Sequence, residues 1–291
     1  MTYLLSTLCT VAFWRHVLLS LKTYRRALEV LGAMFLAAQI AEFFGIYSDL
    51  IKQRGVLYGM FAIAILAGVW TRFPVTRVRQ RIHGKDYHIE VRIGDILDAP
   101  NGIVISTNST FDTNLSNKLI ATDSLQGQFT VRYFNGDVAD LDRQITTALN
   151  GIPYEQVTGR GKRKKYPLGT VAKVSAEGKF FYLLAMANLN EKGTAQTDEQ
   201  ELERIFDGLW NALREQGELG DVYVPVIGSG RGRIQLPRQK IIERIAQSFV
   251  YASRDTKIAD RLIIMVTEED ARSYDLNLFQ VRDYLSMSLH T

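Results

Sequence analysis

Val222-Tyr223-Val224-Pro225-Val226-Ile227 runs directly into Gly228-Ser229-Gly230-Arg231-Gly232-Arg233, and a helix-like stretch begins after Pro237. A short apolar run closed by glycines reads as a buried strand. Glycine at 228, 230 and 232 removes the Cβ atoms that would block close approach and lets successive N–H groups converge on one anion. Arg231 and Arg233 stand beside that loop with planar forks suited to phosphate oxygens. The spacing is Gly-x-Gly-x-Gly-Arg. It lacks the Lys-Ser/Thr pair of a P-loop, and Arg233 sits where the third glycine of a dinucleotide fingerprint belongs. A glycine-rich turn that binds nothing is the other reading of the same residues.

Working outward, strands and helices alternate. His88–Ile93 alternates like a strand and meets Gly94-Asp95-Ile96, and Ile103–Thr107 is a short buried-strand pattern ending at Asn108. Phe129–Phe134 alternates again and reads as a strand, followed by a helix over Asp137–Leu149 that Asn150-Gly151 stops. Thr170–Val174 and Phe180–Ala187 are two more strands joined by a turn at Glu177-Gly178. After Asp198 a helix keeps Leu202, Ile205, Phe206, Leu209 and Leu213 on one face, with Thr197 and Gln200 in a capping-box pattern. A helix over Arg238–Ser253, a strand Leu262–Val266 and a last helix near Leu276–Leu285 complete the series. This order predicts a three-layer α/β domain with ligands at the loops that leave the strand ends.

The 291 residues carry a formal charge of +4, but the two ends of the chain differ in texture. Residues before about Arg81 are mostly apolar, and about 200 residues remain for one sizeable charged, mixed domain. Cys9 is the only cysteine, so no intrachain disulfide can form, and the four histidines are scattered without ligand-like spacing, which argues against a structural zinc. Two apolar stretches, Ala27–Tyr47 and Gly55–Phe73, are each about 20 residues long, enough for a helix to cross a ~30 Å hydrocarbon layer. Ser48–Arg54 is short enough to force an antiparallel hairpin. Arg15, Lys22, Arg25 and Arg26 precede it and Arg72, Arg77, Arg79 and Arg81 follow it, which sets both flanks, and the domain beyond, on the cytoplasmic side.

Residues 1–26 read as an interfacial segment with Phe13 and Trp14 at headgroup level, 27–73 as the two-helix transmembrane hairpin and 74–87 as a polar linker. Ala33, Ala37, Ala41 and Gly45 recur every four residues, as do Ala64 and Gly68, and seat either the hairpin on itself or one protomer on another. Gln39 and Glu42 share a face, where Glu42 is either functional or reaching for the nearer interface.

Three strand ends line up as one candidate site: Asp95-Ile96, Asn108 and the glycine loop Gly228, Ser229, Gly230, Arg231, Gly232 and Arg233. A carboxylate beside a backbone N–H reads an adenine edge, an asparagine amide holds ribose hydroxyls, and the loop takes phosphates, which together suit an ADP-ribose-like ligand. Phe111-Asp112-Thr113-Asn114 follows directly, and Asp112 is either a contact for an imidazole at the ligand's far end or a turn-stabilising residue. Ser124–Phe129 is a second lip of the pocket or a plain turn. Arg160-Gly161-Lys162-Arg163-Lys164-Lys165 is a basic loop that reads as solvated surface or as a contact for anionic lipid or, less favoured, nucleic acid.

These residues resemble the macro domain family, whose pattern of strand, Gly-Asp-Ile, a second strand ending in Asn, then Pro-x-Ile-x-x-Gly-like residues and glycines is recognisable over roughly 88–285. Val224–Gly232 carries the late part, and Tyr166-Pro167-Leu168-Gly169-Thr170 looks like the turn into the central strands. With the two apolar segments in front, the chain looks like the transmembrane-macro effectors of type II Thoeris antiphage defence. The resemblance implies a macro-like mixed sheet over 88–291 in a multi-pass protein of the bacterial inner membrane. It implies no cofactor and no nucleic acid partner, but a nucleotide second messenger, a histidine–ADP-ribose conjugate, made by a TIR-domain enzyme. Binding would drive homo-oligomerisation in the lipid bilayer, membrane disruption and cell death.

Asp95 and Ile96 match the family's adenine-contacting positions, Asn108 its ribose-side asparagine, and Gly228 through Arg233 its phosphate loop. The second strand ends Ser106-Thr107-Asn108 rather than Asn-Ala-Ala-Asn. That departure favours binding without catalysis over the alternative, a membrane-tethered ADP-ribosyl hydrolase with Asp95 or Asp112 as base.

Overall fold

The computed structural model describes residues 7–9, 11–46, 53–73, 75–116, 119–158, 161–189, 195–196, 200–227, 236–273 and 276–288. The chain divides into two compact units, Met1–Val75 and Thr76–Thr291.

The first unit is helical: α1 (Val11–Leu19), α2 (Leu21–Phe43) and α3 (Arg54–Trp70). A Cβ on Gly68 would lie 2.8 Å from the Thr23 carbonyl oxygen and 3.3 Å from the Ala27 Cβ. The end of α3 therefore packs on the start of α2, and the pair is antiparallel. Arg72 is buried and its Nε and a terminal nitrogen donate to Ser20 Oγ at 3.1 and 2.7 Å.

The two helices lie where the hydropathy set them, but among the described residues no helix is long and apolar enough to cross a membrane. Helix α3 has 17 residues, about 25 Å at 1.5 Å per residue, against a core of ~30 Å. Helix α2 has 23 residues, but it begins at Leu21 and so includes Arg25, Arg26 and Glu29, and Gly45 at φ +66° follows its end. Among the described residues the structure thus shows an antiparallel helical pair within 27–73 and does not show the transmembrane hairpin expected there. Only part of the small-residue ladder seats the pair on itself: Ala41, Ala64 and Gly68 are covered. Ala33 and Ala37 face solvent, whereas Thr23, Ala27, Met34, Ala38 and Ala41 are the more covered face of α2 and Ala64 and Gly68 that of α3.

In the second unit a mixed sheet runs in the order β1 (Arg77–Arg81), β2 (His88–Ile93), β10 (Arg261–Val266), β9 (Asp221–Pro225), β3 (Ile103–Asn108), β7 (Lys179–Leu189) and β6 (Val171–Ala176). The five inner strands are parallel, and β1 and β6 close the edges antiparallel. The short strands β4 (Glu155–Gln156) and β5 (Lys164–Lys165) form a separate ribbon, and β8 (Ala195–Gln196) pairs with the end of β7. On one face Ile103, Ile105, Phe181, Leu183, Tyr223 and Ile263 pack with α4 (Leu125–Phe134) and α5 (Val138–Ala148). α6 (Glu201–Gln216), α7 (Arg238–Ala252) and α9 (Leu278–Ser288) form the other layer, and the short α8 (Glu268–Ser273) follows β10. The three-layer α/β reading therefore holds.

Two local expectations change. Phe129–Phe134 is the end of α4, not a strand. Ser124 Oγ accepts from Gly127 N at 3.1 Å to cap the helix, and Asn135 at φ 50° ends it. A strand would have buried Phe129, Val131 and Tyr133 alike. The helix instead buries Phe129, Thr130, Tyr133 and Phe134 and leaves Val131 50% exposed. The polar linker 74–87 contains β1, which pairs along β2 from Arg77↔Arg92 to Arg81↔His88. With Val78 as its single core residue it carries no hydrophobic signal, and backbone pairing alone defines it.

Candidate functional site

Because β2, β10, β9 and β3 are adjacent and parallel, their carboxyl ends share one edge of the sheet. Asp95 follows β2 and Asn108 ends β3. Two strands lie between them, about 14 Å at the usual ~4.8 Å spacing. The stretch from Gly228 to Arg233 leaves β9 between the two; those six residues lie outside the described residues.

Asp95 caps a 3-10 turn over Ile96–Asp98, its Oδ1 accepting from Leu97 N at 2.9 Å. The other carboxylate oxygen lies 3.6 Å from Arg132 on α4, which also donates to Asp98 at 2.7 Å. About half of the Asp95 side chain remains exposed, so the carboxylate is both oriented and reachable. The Ile96 side chain is buried in the main core, which leaves its backbone as the group facing the edge. Arg132 is a site-side residue that the sequence reading missed, because the segment carrying it was read as a strand.

At the end of β3 the pairing shifts from Thr107↔Ala185 to Asn108↔Ala187, which leaves Met186 of β7 as the extra residue. The side chain of Asn108 turns into its own loop: Nδ2 donates to Asp112 Oδ2 at 3.2 Å, and Oδ1 accepts from Thr110 Oγ1 at 3.0 Å and from Asp112 N at 3.1 Å. Asp112 is only 2% exposed. Its Oδ2 also accepts from Thr110 Oγ1, and its Oδ1 accepts from Lys162 N at 2.6 Å. Of the two readings of Asp112, this geometry is that of the loop-stabilising one, since both carboxylate oxygens are engaged inside the protein.

Lys162 Nζ adds bonds to Phe111 O at 2.7 Å and Asp142 Oδ1 at 2.6 Å. A Cβ on Gly161 would clash with Asp112 Oδ1, and Gly161 sits at φ +91°. Phe111 holds φ 50° while fully buried edge-on against Tyr166, a conformation that costs a bulky residue about 1–3 kcal/mol. Gln126 at the start of α4 donates to Asp112 O. Within the basic run Lys162 is anchored in this cluster, Lys164 lies 4.7 Å over the Tyr154 ring and Lys165 is 4.0 Å from Glu155, while Arg160 lies outside the described residues.

Residues 89–267 match the family model described as Thoeris protein ThsA, Macro domain. The chain belongs to the Thoeris ThsA macro domain family. It is 27% identical over 181 residues to Thoeris protein ThsA of Bacillus amyloliquefaciens (strain Y2), a match that covers 60% of this chain and 59% of that protein. The matched part thus spans less than two thirds of that relative. Solved structures similar to it include the Oceanobacillus iheyensis macrodomain with MES bound (14% identical, covering 72% of this chain and 97% of that chain, TM-score 0.49) and the same macrodomain with ADP (14%, 72% and 97%, TM-score 0.48).

Within the ThsA macro domain the segment between β3 and β6 is the part the sequence left least defined. Its anchors, Asp112, Gln126, Gly161 and Lys162, are brought together only by tertiary contact.

Proposed function

We propose that this ThsA macro domain protein is a sensor of an ADP-ribose-type nucleotide in antiphage defence. The adenine lies against Asp95 and the Ile96 backbone, the ribose beside the Asn108–Asp112 loop, and the phosphates on Gly228, Ser229, Gly230, Arg231, Gly232 and Arg233. The observation that carries this reading is the shared edge of four adjacent parallel strands, to which Asp95, Asn108 and the end of β9 all belong. Asp112 has both carboxylate oxygens engaged by three donors, and Asp95 accepts from Leu97 N beside Arg132, so neither carboxylate is held free as a general base. Binding without hydrolysis is the reading this supports. A histidine–ADP-ribose conjugate from a TIR-domain enzyme is the proposed signal.

The N-terminal helices are proposed to carry the output at the bacterial inner membrane, with the macro domain in the cytoplasm. Exposed Leu28, Phe35, Leu36, Ile40 and Phe43 on α2, and Leu57, Phe61, Ile65 and Leu66 on α3, are apolar surface that needs lipid or another protomer to cover it. Homo-oligomerisation on binding would let these helices disturb the bilayer together. Moving such an assembly from one per cent to ninety-nine per cent occupied needs about 10⁴-fold preference of the ligand for the assembled state, about 5.5 kcal/mol.

Calorimetry of the full chain with ADP-ribose, ADP and histidine–ADP-ribose tests the reading. Binding that Gly230→Glu abolishes, with ligand recovered intact by mass spectrometry, is expected. No binding of any of the three overturns the sensor, and cleaved ligand favours the hydrolase. Deletion of residues 1–73 should preserve binding and remove toxicity in cells; retained toxicity overturns the membrane output.

A further inference from the structure

One sheet face carries an arrangement that ligand sensing does not use. The register sets Arg77, Arg79 and Arg81 of β1, His88, Glu90 and Arg92 of β2, Arg261 of β10 and Asp221 of β9 on the same side. Side chains two apart on a strand project to one side, so the rows across the strands read Arg81, His88, Arg261, then Arg79, Glu90, then Arg77, Arg92. Five guanidinium groups face two carboxylates.

The carboxylates lie beneath the cations. Glu90 is buried, with Arg92 at 2.6 Å and Arg79 at 3.4 Å, and Asp221 takes Arg261 through Nε at 2.6 Å. At the strand ends the exposed Asp86 and Asp260 are held by Lys257 at 3.1 and 2.6 Å. Arg77 and Arg81 are exposed and have no carboxylate within 4 Å among the described residues.

Like charges directly opposite one another on adjacent strands are destabilising, yet Arg77 faces Arg92, and Arg81, His88 and Arg261 lie abreast. Burial, Arg79 and Arg81 together hold the His88 imidazole below its ordinary pKa, with Asp86 opposing. A surface so arranged gains stability from a neutralising layer of anions. Farther along the same side Ile263, Met265 and Tyr223 are buried in the core, so the open part is the β1–β2 margin with Arg261, and the nearby aromatic side chains Tyr87 and Tyr223 are buried. Single-stranded nucleic acid would find no exposed ring on which to stack its bases. A layer of anionic headgroups fits this margin of exposed arginines.

We propose that this arginine-lined face of β1, β2 and β10 docks the macro domain onto an anionic lipid surface. It extends the membrane part of the reading above, because it gives the domain itself, separate from the helices, a lipid contact. The test is sedimentation of the full chain with vesicles of phosphatidylcholine alone and with thirty per cent phosphatidylglycerol, for the native protein, the double variant Arg77→Gln/Arg81→Gln, and an equal charge change elsewhere, Arg143→Gln/Arg272→Gln.

The expected result is a preference for anionic vesicles that the first double variant lowers about 20-fold and 0.5 M salt removes, while the control variant keeps it. An unchanged preference in Arg77→Gln/Arg81→Gln, with binding to neutral vesicles intact, overturns this proposal alone. Absence of binding to any vesicle overturns the membrane reading as well. Single-stranded RNA binding lost in the same variant, without any anionic-lipid preference, assigns the face to nucleic acid and overturns the lipid proposal.

Discussion

Asp112→Ala separates the two roles that its position suggests. The carboxylate accepts from Asn108 Nδ2, Thr110 Oγ1 and Lys162 N, and its residue is nearly inaccessible to solvent. Removing it strands Asn108 Nδ2 and Lys162 N, each worth about 1–3 kcal/mol when unsatisfied, while Thr110 Oγ1 keeps Asn108 Oδ1 as acceptor. Water entering the vacated space restores part of this, and Lys162 Nζ keeps the loop tied through Phe111 O and Asp142. A net loss of roughly 3–4 kcal/mol follows, a large share of the 5–15 kcal/mol typical of a folded domain.

Urea unfolding of the detergent-solubilised chain, followed by fluorescence of the fully buried Trp210, reads that loss as a lower midpoint at unchanged slope. Affinity for plain ADP-ribose and for the histidine conjugate should fall by the same factor, because the loss acts through the loop that holds Asn108. Full stability combined with a loss confined to the histidine conjugate would refute this account and return Asp112 to the ligand.

Other substitutions probe other levels of the structure. A Cβ on Gly127 would overlap the Ala121 carbonyl and lie 2.8 Å from Thr122 Cα, so Gly127→Ala should cost about 1–3 kcal/mol in thermal or urea unfolding. Phe181→Ala empties the centre of the Phe129 and Tyr133 cluster, whose rings lie 4.8 and 4.6 Å from it, and should cost about 3–5 kcal/mol by the same measurement. Gly68→Leu drives a side chain into Thr23; it should lower hydrogen-exchange protection of residues 54–70 and leave nucleotide affinity unchanged. His88 has a folded pKa below its ordinary value, so the unfolded chain binds the proton more readily and stability falls as pH drops below about 6.5. Melting temperatures between pH 7.5 and 5 should decline less in His88→Gln than in the native protein.

Much of the fold was legible because burial on both faces leaves continuous apolar runs. Leu262–Val266 reads as a strand and is one, the run read over Val222–Ile227 is a strand as far as Pro225, and His88–Ile93, read from its alternation, is a strand too. The helix Glu201–Gln216 was readable from its apolar stripe, with Leu202, Ile205, Phe206, Leu209 and Leu213 all buried. Thr197, expected in its capping box, lies outside the described residues, and Gln200 makes no side-chain cap bond. Phe129–Phe134 misled because Phe129, Val131 and Tyr133 satisfy a period of two as well as the helical one. The cap at Ser124 and the left-handed stop at Asn135 were the deciding signals.

The sequence by itself determined the alternation of strands and helices, the apolar N-terminal pair and the residue types at three strand ends, because each is a local pattern of burial and side-chain chemistry. The tertiary structure alone decided which strands are neighbours. That order brings Asp95 and Asn108 to one edge, lets β1 exist without a hydrophobic signal, and gathers Asn108, Gln126 and Lys162 around Asp112. Hydrogen bonds between residues fifty positions apart leave no periodic trace along the chain. They form only when packing removes the water that would otherwise satisfy the same groups.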